Sequence, residues 1–273
     1  MQRRFADCHM HTWLCGHAEH SVQDMVTALE NSSLVGGIIT EHLPLPKYID
    51  PDRKVSMSRS DVPTYIATLL ELRERSPLGD NLVIGAEADW RNDDPAWTAR
   101  SVASARAAGV EVVLGSVHLL DDWAFDDPNA LAVWDERDID AVWEQYFTEW
   151  CKAARSGLFE VMAHPDLPKK FGHVPDDPRQ YYVEAAEAAA DHGLLCEVST
   201  AGLRKPCAEL YPSAELLAEF AARGIQFTLA SDAHCVDEIG YRFDVAAEAL
   251  LAQGISLQAF PKGHGRIERL PLQ

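Results

Sequence analysis

The chain has 273 residues, 47% hydrophobic and 25% charged, the balance of a folded globular protein rather than a disordered chain or a fibre. Its 24 Lys and Arg against 43 Asp and Glu give a formal charge of −19, which repels a phosphate backbone and argues against a general nucleic-acid-binding surface. The apolar runs stay below the ~18 residues a membrane helix needs, and Phe5-Ala6 gives way at once to Asp7-Cys8-His9 with no apolar signal segment, so neither membrane insertion nor secretion is expected.

In chain order, short runs rich in Val, Ile, Leu and Phe alternate with helical stretches. A strand at Phe5–His9 precedes a helix near Val22–Asn31. The following pairs are Gly36–Thr40 with Val62–Arg75, Asn81–Glu87 with Ala96–Ala108, and Glu111–Val117 with Ile139–Ala154. Then come Leu158–His164 with Pro178–His192, Leu194–Ser199 with Ala214–Arg223, and Gln226–Ser231 with Val245–Gln253. Ser60-Asp61 ahead of Pro63, and Gly193 after His192, fit the preferences of helix starts and ends. The strands show little polar alternation, as expected of parallel strands covered on both faces.

Seven β-then-α units imply a parallel sheet with right-handed crossovers. An open doubly wound sheet is one solution. A closed barrel fits better, because polar residues close nearly every strand rather than lining one crevice. No G-x-G-x-x-G or Walker loop follows a strand. No composition break divides the chain, so residues 1–273 read as one α/β domain. Two connections are long: Leu43–Arg59, with three prolines, and the acidic Leu119–Asp138, which reads as solvated surface. Cys8, Cys15, Cys151, Cys196, Cys207 and Cys235 form no C-x-x-C pair and read as reduced cytoplasmic thiols.

The strand ends carry the chemistry. The first ends in Asp7-Cys8-His9-Met10-His11, where alternation puts His9 and His11 on one side. Later strands end in Glu41-His42, Glu87-Ala88-Asp89, Ser116-Val117-His118, His164-Pro165-Asp166 and Asp232-Ala233-His234. Any one of these is explained as a turn or a satisfied core polar group. Together, six of seven strands closing in metal-ligand residue types, with few cations to match, call for metal ions. Carboxyl ends of strands are also where barrel enzymes build their sites. His17, in the loop after the first strand, is a ninth candidate ligand. His192 suits a helix cap, and His20 and His264 fall in loops and read as exposed.

Asp7–Thr12, Thr40–His42, Gly85–Glu87, Ser116–His118, His164 and Ser231–His234 resemble, in order, the motif set of the polymerase and histidinol phosphatase (PHP) superfamily. The Cys15–Ala18 loop, Gly157–Phe159, Leu167–His173, Thr200–Lys205 and the terminal strand further resemble the monofunctional histidinol-phosphate phosphatases. The resemblance implies a distorted, TIM-like (β/α)7 barrel. It implies three divalent ions (Zn, Mn or Fe): one on His9, His11, Glu87 and Asp232, one sharing Glu87 and adding His118 and His164, and one on His17, His42 and His234. The implied reaction, a step of histidine biosynthesis, is hydrolysis of histidinol phosphate by a metal-bridging hydroxide, with Asp232 or His234 protonating the leaving alkoxide. Arg204, Lys169, Lys170 and His173 would face a small-molecule phosphate ester. Alternatives are a nucleotide phosphatase or phosphodiesterase with the same metals, and a non-catalytic metal-binding scaffold. Oligomeric state is not read from the sequence.

Overall fold

Every predicted β-then-α unit is present in the computed structural model, which describes residues 4–273; the first three residues of the basic amino-terminal stretch lie outside the described residues. In chain order the elements are β1 (Ala6–Asp7), α1 (Val22–Asn31), β2 (Gly36–Ile39), α2 (Asp61–Arg75), β3 (Leu82–Asp89), α3 (Pro95–Ala108), β4 (Val112–Ser116), β5 (Leu119–Leu120) and β6 (Trp123–Ala124). They continue with α4 (Ile139–Arg155), β7 (Val161–Met162), α5 (Tyr182–Asp191), β8 (Leu195–Ser199), α6 (Ala214–Ala222), β9 (Gln226–Ala230), α7 (Phe243–Ala252), β10 (Leu257–Pro261) and β11 (Ile267–Pro271).

Seven strands form one parallel sheet in the order β1-β2-β3-β4-β7-β8-β9. Its edges meet: the Cys8 amide donates to Leu229 O at 2.9 Å, and the His11 amide to Ala233 O at 2.8 Å. The sheet is therefore a nearly closed, distorted TIM-like barrel. Local chemistry sets the helix ends. Ser21 and Asp24 form a reciprocal capping box on α1, Asp94 accepts from the Trp97 amide ahead of Pro95 on α3, and left-handed Gly193 (φ 61°) follows α5. Ser60 precedes α2 as expected, but its hydroxyl makes no capping bond.

Apolar side chains divide into two bodies. The larger lies between the helices and the outer face of the sheet and includes Trp143, Trp150, Tyr65 and Phe220. The smaller fills the barrel, from Ala6, Ile38, Val83, Val112, Leu114, Val161 and Leu195. Most of these belong to the first residues of their strands. The antiparallel β10–β11 hairpin seals that end, adding Ala259, Phe260 and Leu270 to the same core. Gln258 fastens it, accepting from the Ala6 amide at 3.0 Å and donating to Ala6 O at 2.5 Å. The opposite end stays free for polar groups.

Three sequence expectations are corrected. β1 and β7 are shorter than predicted, and left-handed backbone at Phe5 (φ 60°) and His164 (φ 24°) takes those two residues out of the extended run. The Leu119–Asp138 connection is ordered by the β5–β6 pair and a 3₁₀ helix over Pro128–Glu136. Its Asp121, Asp122, Asp135, Glu136 and Asp138 are exposed as expected, whereas Trp123, Phe125 and Trp134 are buried beneath them. The helix predicted over Pro178–His192 starts as a 3₁₀ turn before α5. The Leu43–Arg59 connection is tied from within, the Asp50 carboxylate accepting from the Lys54 amide and the Ser56 hydroxyl, both at 2.7 Å.

Gly115 in β4 is fixed by packing, since a Cβ there would lie 2.4 Å from the buried Phe159 ring. Gly115→Ala is expected to destabilise the fold by about 1–3 kcal/mol, the range of an overpacked core. Urea unfolding measures this, and combining it with Phe159→Leu should recover part of the loss.

Candidate metal centre

The hub is Glu87. Along β3 the side chains of Val83 and Glu87 fall on the same face, so the strand enters the barrel as hydrocarbon and ends as a carboxylate. Glu87 is 1% exposed. Around it converge His9 Nε2 at 3.1 Å, His11 Nε2 and His42 Nδ1 at 3.3 Å each, His164 Nε2 at 3.1 Å and His118 Nε2 at 3.7 Å. Asp232 Oδ1 lies 3.3 Å from His11 Nε2 and 3.8 Å from His9 Nε2. His234 Nε2 faces His17 Nε2 at 3.0 Å, and the His234 ring stacks on His11 with centroids 4.5 Å apart. All nine residues predicted as ligands therefore meet at the carboxyl ends of the strands. The left-handed backbone of His164 and Asp232 turns each chain inward as its strand ends.

The outward nitrogens of several rings are also held. His9 Nδ1 donates to Glu197 Oε1 and His118 Nδ1 to Asp89 Oδ1, each at 2.8 Å. Glu41 Oε1 stands 3.5 Å behind His11 Nδ1, His17 Nδ1 donates to Lys54 O at 3.1 Å, and His234 Nδ1 to Asp232 O at 3.0 Å. A proton fixed on Nδ1 leaves Nε2 with a lone pair pointing into the cluster. His9 Nε2 and His11 Nε2 then face each other at only 2.9 Å. Two lone pairs at that distance repel unless a cation or a proton lies between them. The donor set of imidazoles and carboxylates is that of a divalent transition-metal site, and several three-residue subsets have ligand atoms close enough to share an ion.

Proton affinities show the same strain. Burial opposes charge on His9, but the Glu197, Glu87 and Asp232 carboxylates outweigh it and raise its pKa well above the ordinary value. His118 is raised to about 10 against burial, chiefly by Asp89. Burial instead wins at His42 and His17, and at His234, which burial and neighbouring His11 push down to about 3. Glu87 and Asp232 stay ionised despite burial because imidazoles surround them. Burial lifts Asp7 to about 6, although Ser231, Gly240 and His9 all donate to it. Neutral rings beside protonated ones in one buried cluster form a set that a divalent cation satisfies better than protons.

The predicted substrate-facing cations are paired within the chain. Lys169 Nζ is buried against Asp166 at 3.1 Å, Glu209 at 3.2 Å and Leu210 O at 2.7 Å. Lys170 Nζ holds Asp126 Oδ2 at 3.0 Å, and His118 and His164 help to keep the Asp126 carboxyl ionised against burial. Arg204 Nη2 donates to Ser231 O and Asp232 O, and its Nε meets Glu238 Oε1 at 2.9 Å. His173 stacks on Trp134 at 4.4 Å rather than reaching the cluster. His192 caps the carboxyl end of α5 as expected, and His264 is exposed as expected, whereas His20 is half-buried. Sequence reading missed Glu197, Glu41 and Asp89 as ring holders. Glu41 and Asp89 lie next to, or two residues from, a predicted ligand. Glu197 has no such neighbour and is signalled only by being an acid in an apolar strand.

The PHP domain family model matches residues 7–201. The chain belongs to the PHP domain family. A curated relative from Deinococcus radiodurans, named "Probable histidinol-phosphatase", is 36% identical over 244 residues, covering 89% of this chain and 92% of the relative. One of the same name from Schizosaccharomyces pombe is 22% identical, covering 93% and 89%. The crystal structure of histidinol phosphate phosphatase from Lactococcus lactis, complexed with Zn, L-histidinol and phosphate, superposes with a TM-score of 0.73 at 19% identity, over 97% of this chain and 99% of that one. That likeness establishes a shared fold. In this PHP chain, Asp232 and His234 complete the cluster from beyond the matched segment.

Purified protein is expected to carry divalent metal by elemental analysis. Dialysis against a chelator should remove it and lower the thermal midpoint, since a ligand at 1,000 times its Kd stabilises by about 4 kcal/mol. His11→Ala should lower metal content, and the exposed His264→Ala should leave it unchanged.

Proposed function

We propose that the whole chain, residues 1–273, acts as one unit that hydrolyses the phosphomonoester L-histidinol phosphate to L-histidinol and phosphate. The observation that carries this is the meeting of nine imidazole and carboxylate side chains at six separate strand ends, with His9, His11, His42, Glu87 and His164 buried at its heart. The names of the curated relatives and the products bound in the Lactococcus structure support the substrate.

In this reading His9, His11, Glu87 and Asp232 hold one divalent ion (Zn, Mn or Fe). Glu87, His118 and His164 hold a second, and His17, His42 and His234 a third. Bound ions supply Lewis acidity and charge neutralisation, which phosphoryl transfer to water needs. Glu87 is the catalytic hub because its two oxygens face different rings, Oε2 towards His9 and His11 and Oε1 towards His118 and His164. Asp232 and His234 are more open than Glu87, at 19% and 29% side-chain exposure. They are the groups placed to deliver a proton to a departing alkoxide at the mouth. Arg204 grips the backbone of Ser231 and Asp232, so it acts on the site through Asp232. Lys170, beside Asp126, brings a cation to the His118 and His164 side for phosphate, and Asp126 a carboxylate for the substrate amine. Among the described residues no helix is long and apolar enough to cross a membrane. Six unbridged cysteines fit a reducing, cytoplasmic setting.

Phosphate release is measured on histidinol phosphate, nucleoside monophosphates and single-stranded DNA with metal-replete protein. A kcat/KM for histidinol phosphate at least 100-fold above the others is expected. Equal rates, or preference for a nucleotide, would overturn the substrate assignment. Arg204→Ala is expected to lower kcat/KM about 10–100-fold, the usual effect of losing a residue that orients a metal ligand. An unchanged value would remove Arg204 from the site.

A further inference from the structure

We propose that Glu197 is a positioning residue that ties two of the metal positions together, so that one carboxylate sets the affinity of both. The inference rests on the metal-site reading above. Glu197 lies in β8 and is fully buried. Its Oε1 accepts from His9 Nδ1 at 2.8 Å, and its Oε2 accepts from the backbone amide of His164 at 2.9 Å. Among the described residues no Lys or Arg nitrogen lies within ion-pair distance of it; the His9 ring is its one such partner. Both oxygens are thus directed at residues of the cluster, His9 in one position and His164 in the other.

The His164 contact has a specific task. β7 ends after Met162, and Ala163 makes the last ladder bond, to Gly115 O at 2.9 Å. His164 then adopts φ 24°, a left-handed backbone that non-glycine residues avoid without outside support. Its amide, released from the sheet, has Glu197 as its acceptor. The bend it anchors aims His164 Nε2 at Glu87 Oε1. The other oxygen of the same carboxylate fixes the His9 ring so that its Nε2 faces Glu87 Oε2. Glu197 therefore controls ring orientation at one position and backbone direction at the next. His17, His42 and His234 make no contact with it, so the third position is an internal control.

Glu197→Gln keeps the shape but leaves one accepting oxygen for two donors. Zinc is titrated into wild type and variant against a competing chelator. Two affinities are expected to fall together, by about 10–100-fold each, while the third holds. A loss confined to one position, an equal loss at all three, or no loss would overturn the proposal. Wild type holding fewer than two ions would overturn the metal reading itself, and the proposal with it. Urea unfolding of the metal-free proteins separates positioning from plain structure. The metal-free midpoints should differ by less than the metal-loaded ones, because a buried donor left unpaired weakens both forms but only the loaded form also loses metal affinity, and a metal-free variant as destabilised as the loaded one would sink the inference. If the Gln variant does not fold, Glu197→Asp, which keeps the charge but shortens the reach, must show the same paired loss.

Discussion

Five imidazole rings from four different strand ends stand within 4 Å of one buried carboxylate, Glu87. A buried anion needs cationic or hydrogen-bonding partners, and a buried imidazole needs a proton or a ligand on each nitrogen. Neither need is met by lysine or arginine, because the nearest of these are already paired elsewhere. The rest of the molecule follows from keeping these mutually unfavourable groups in place. Seven strands converge on a ring, so each contributes one or two polar residues at its end, and the helices outside bury enough apolar surface to hold them there.

The barrel manages this by changing character along its length. The inward residues at the first ends of the strands, among them Ile38, Val83, Val112, Val161 and Leu195, form a hydrocarbon layer. One or two inward steps later the strands present Glu87 and Glu197. Gly85, between Val83 and Glu87, has no room for a Cβ because Ile38 and Thr40 occupy the space. Apolar packing below therefore supports a dense polar layer above, and behind His9, His118 and His17 lies a second acid or carbonyl that sets the ring's orientation.

Much of this was legible from the chain. His9, His11, Glu87, His118 and Asp232 each close an apolar run, and that break in pattern is visible without coordinates of any kind. The lengths of β1 and β7 were not legible, because the left-handed turns at Phe5 and His164 carry no glycine to announce them. Glu197 was hidden for a different reason: an acid inside a strand looks like a local irregularity until its partners, 188 and 33 residues away, are known. The cations after β7 and β8 were visible in the chain, but their tertiary partners Asp126, Asp166 and Glu238 could not be read from spacing. The acidic connection after β4 was half legible: its charges face solvent, while its buried tryptophans belong to a three-ring contact of Trp123, Phe125 and Trp134.

The β10–β11 hairpin carries one more consequence. With Phe260 seated in its floor, the barrel is a blind well rather than a tunnel. Any small molecule that reaches the cluster arrives through the same doorway by which it departs. Traffic in the two directions shares that doorway, so whatever lingers there delays the next arrival.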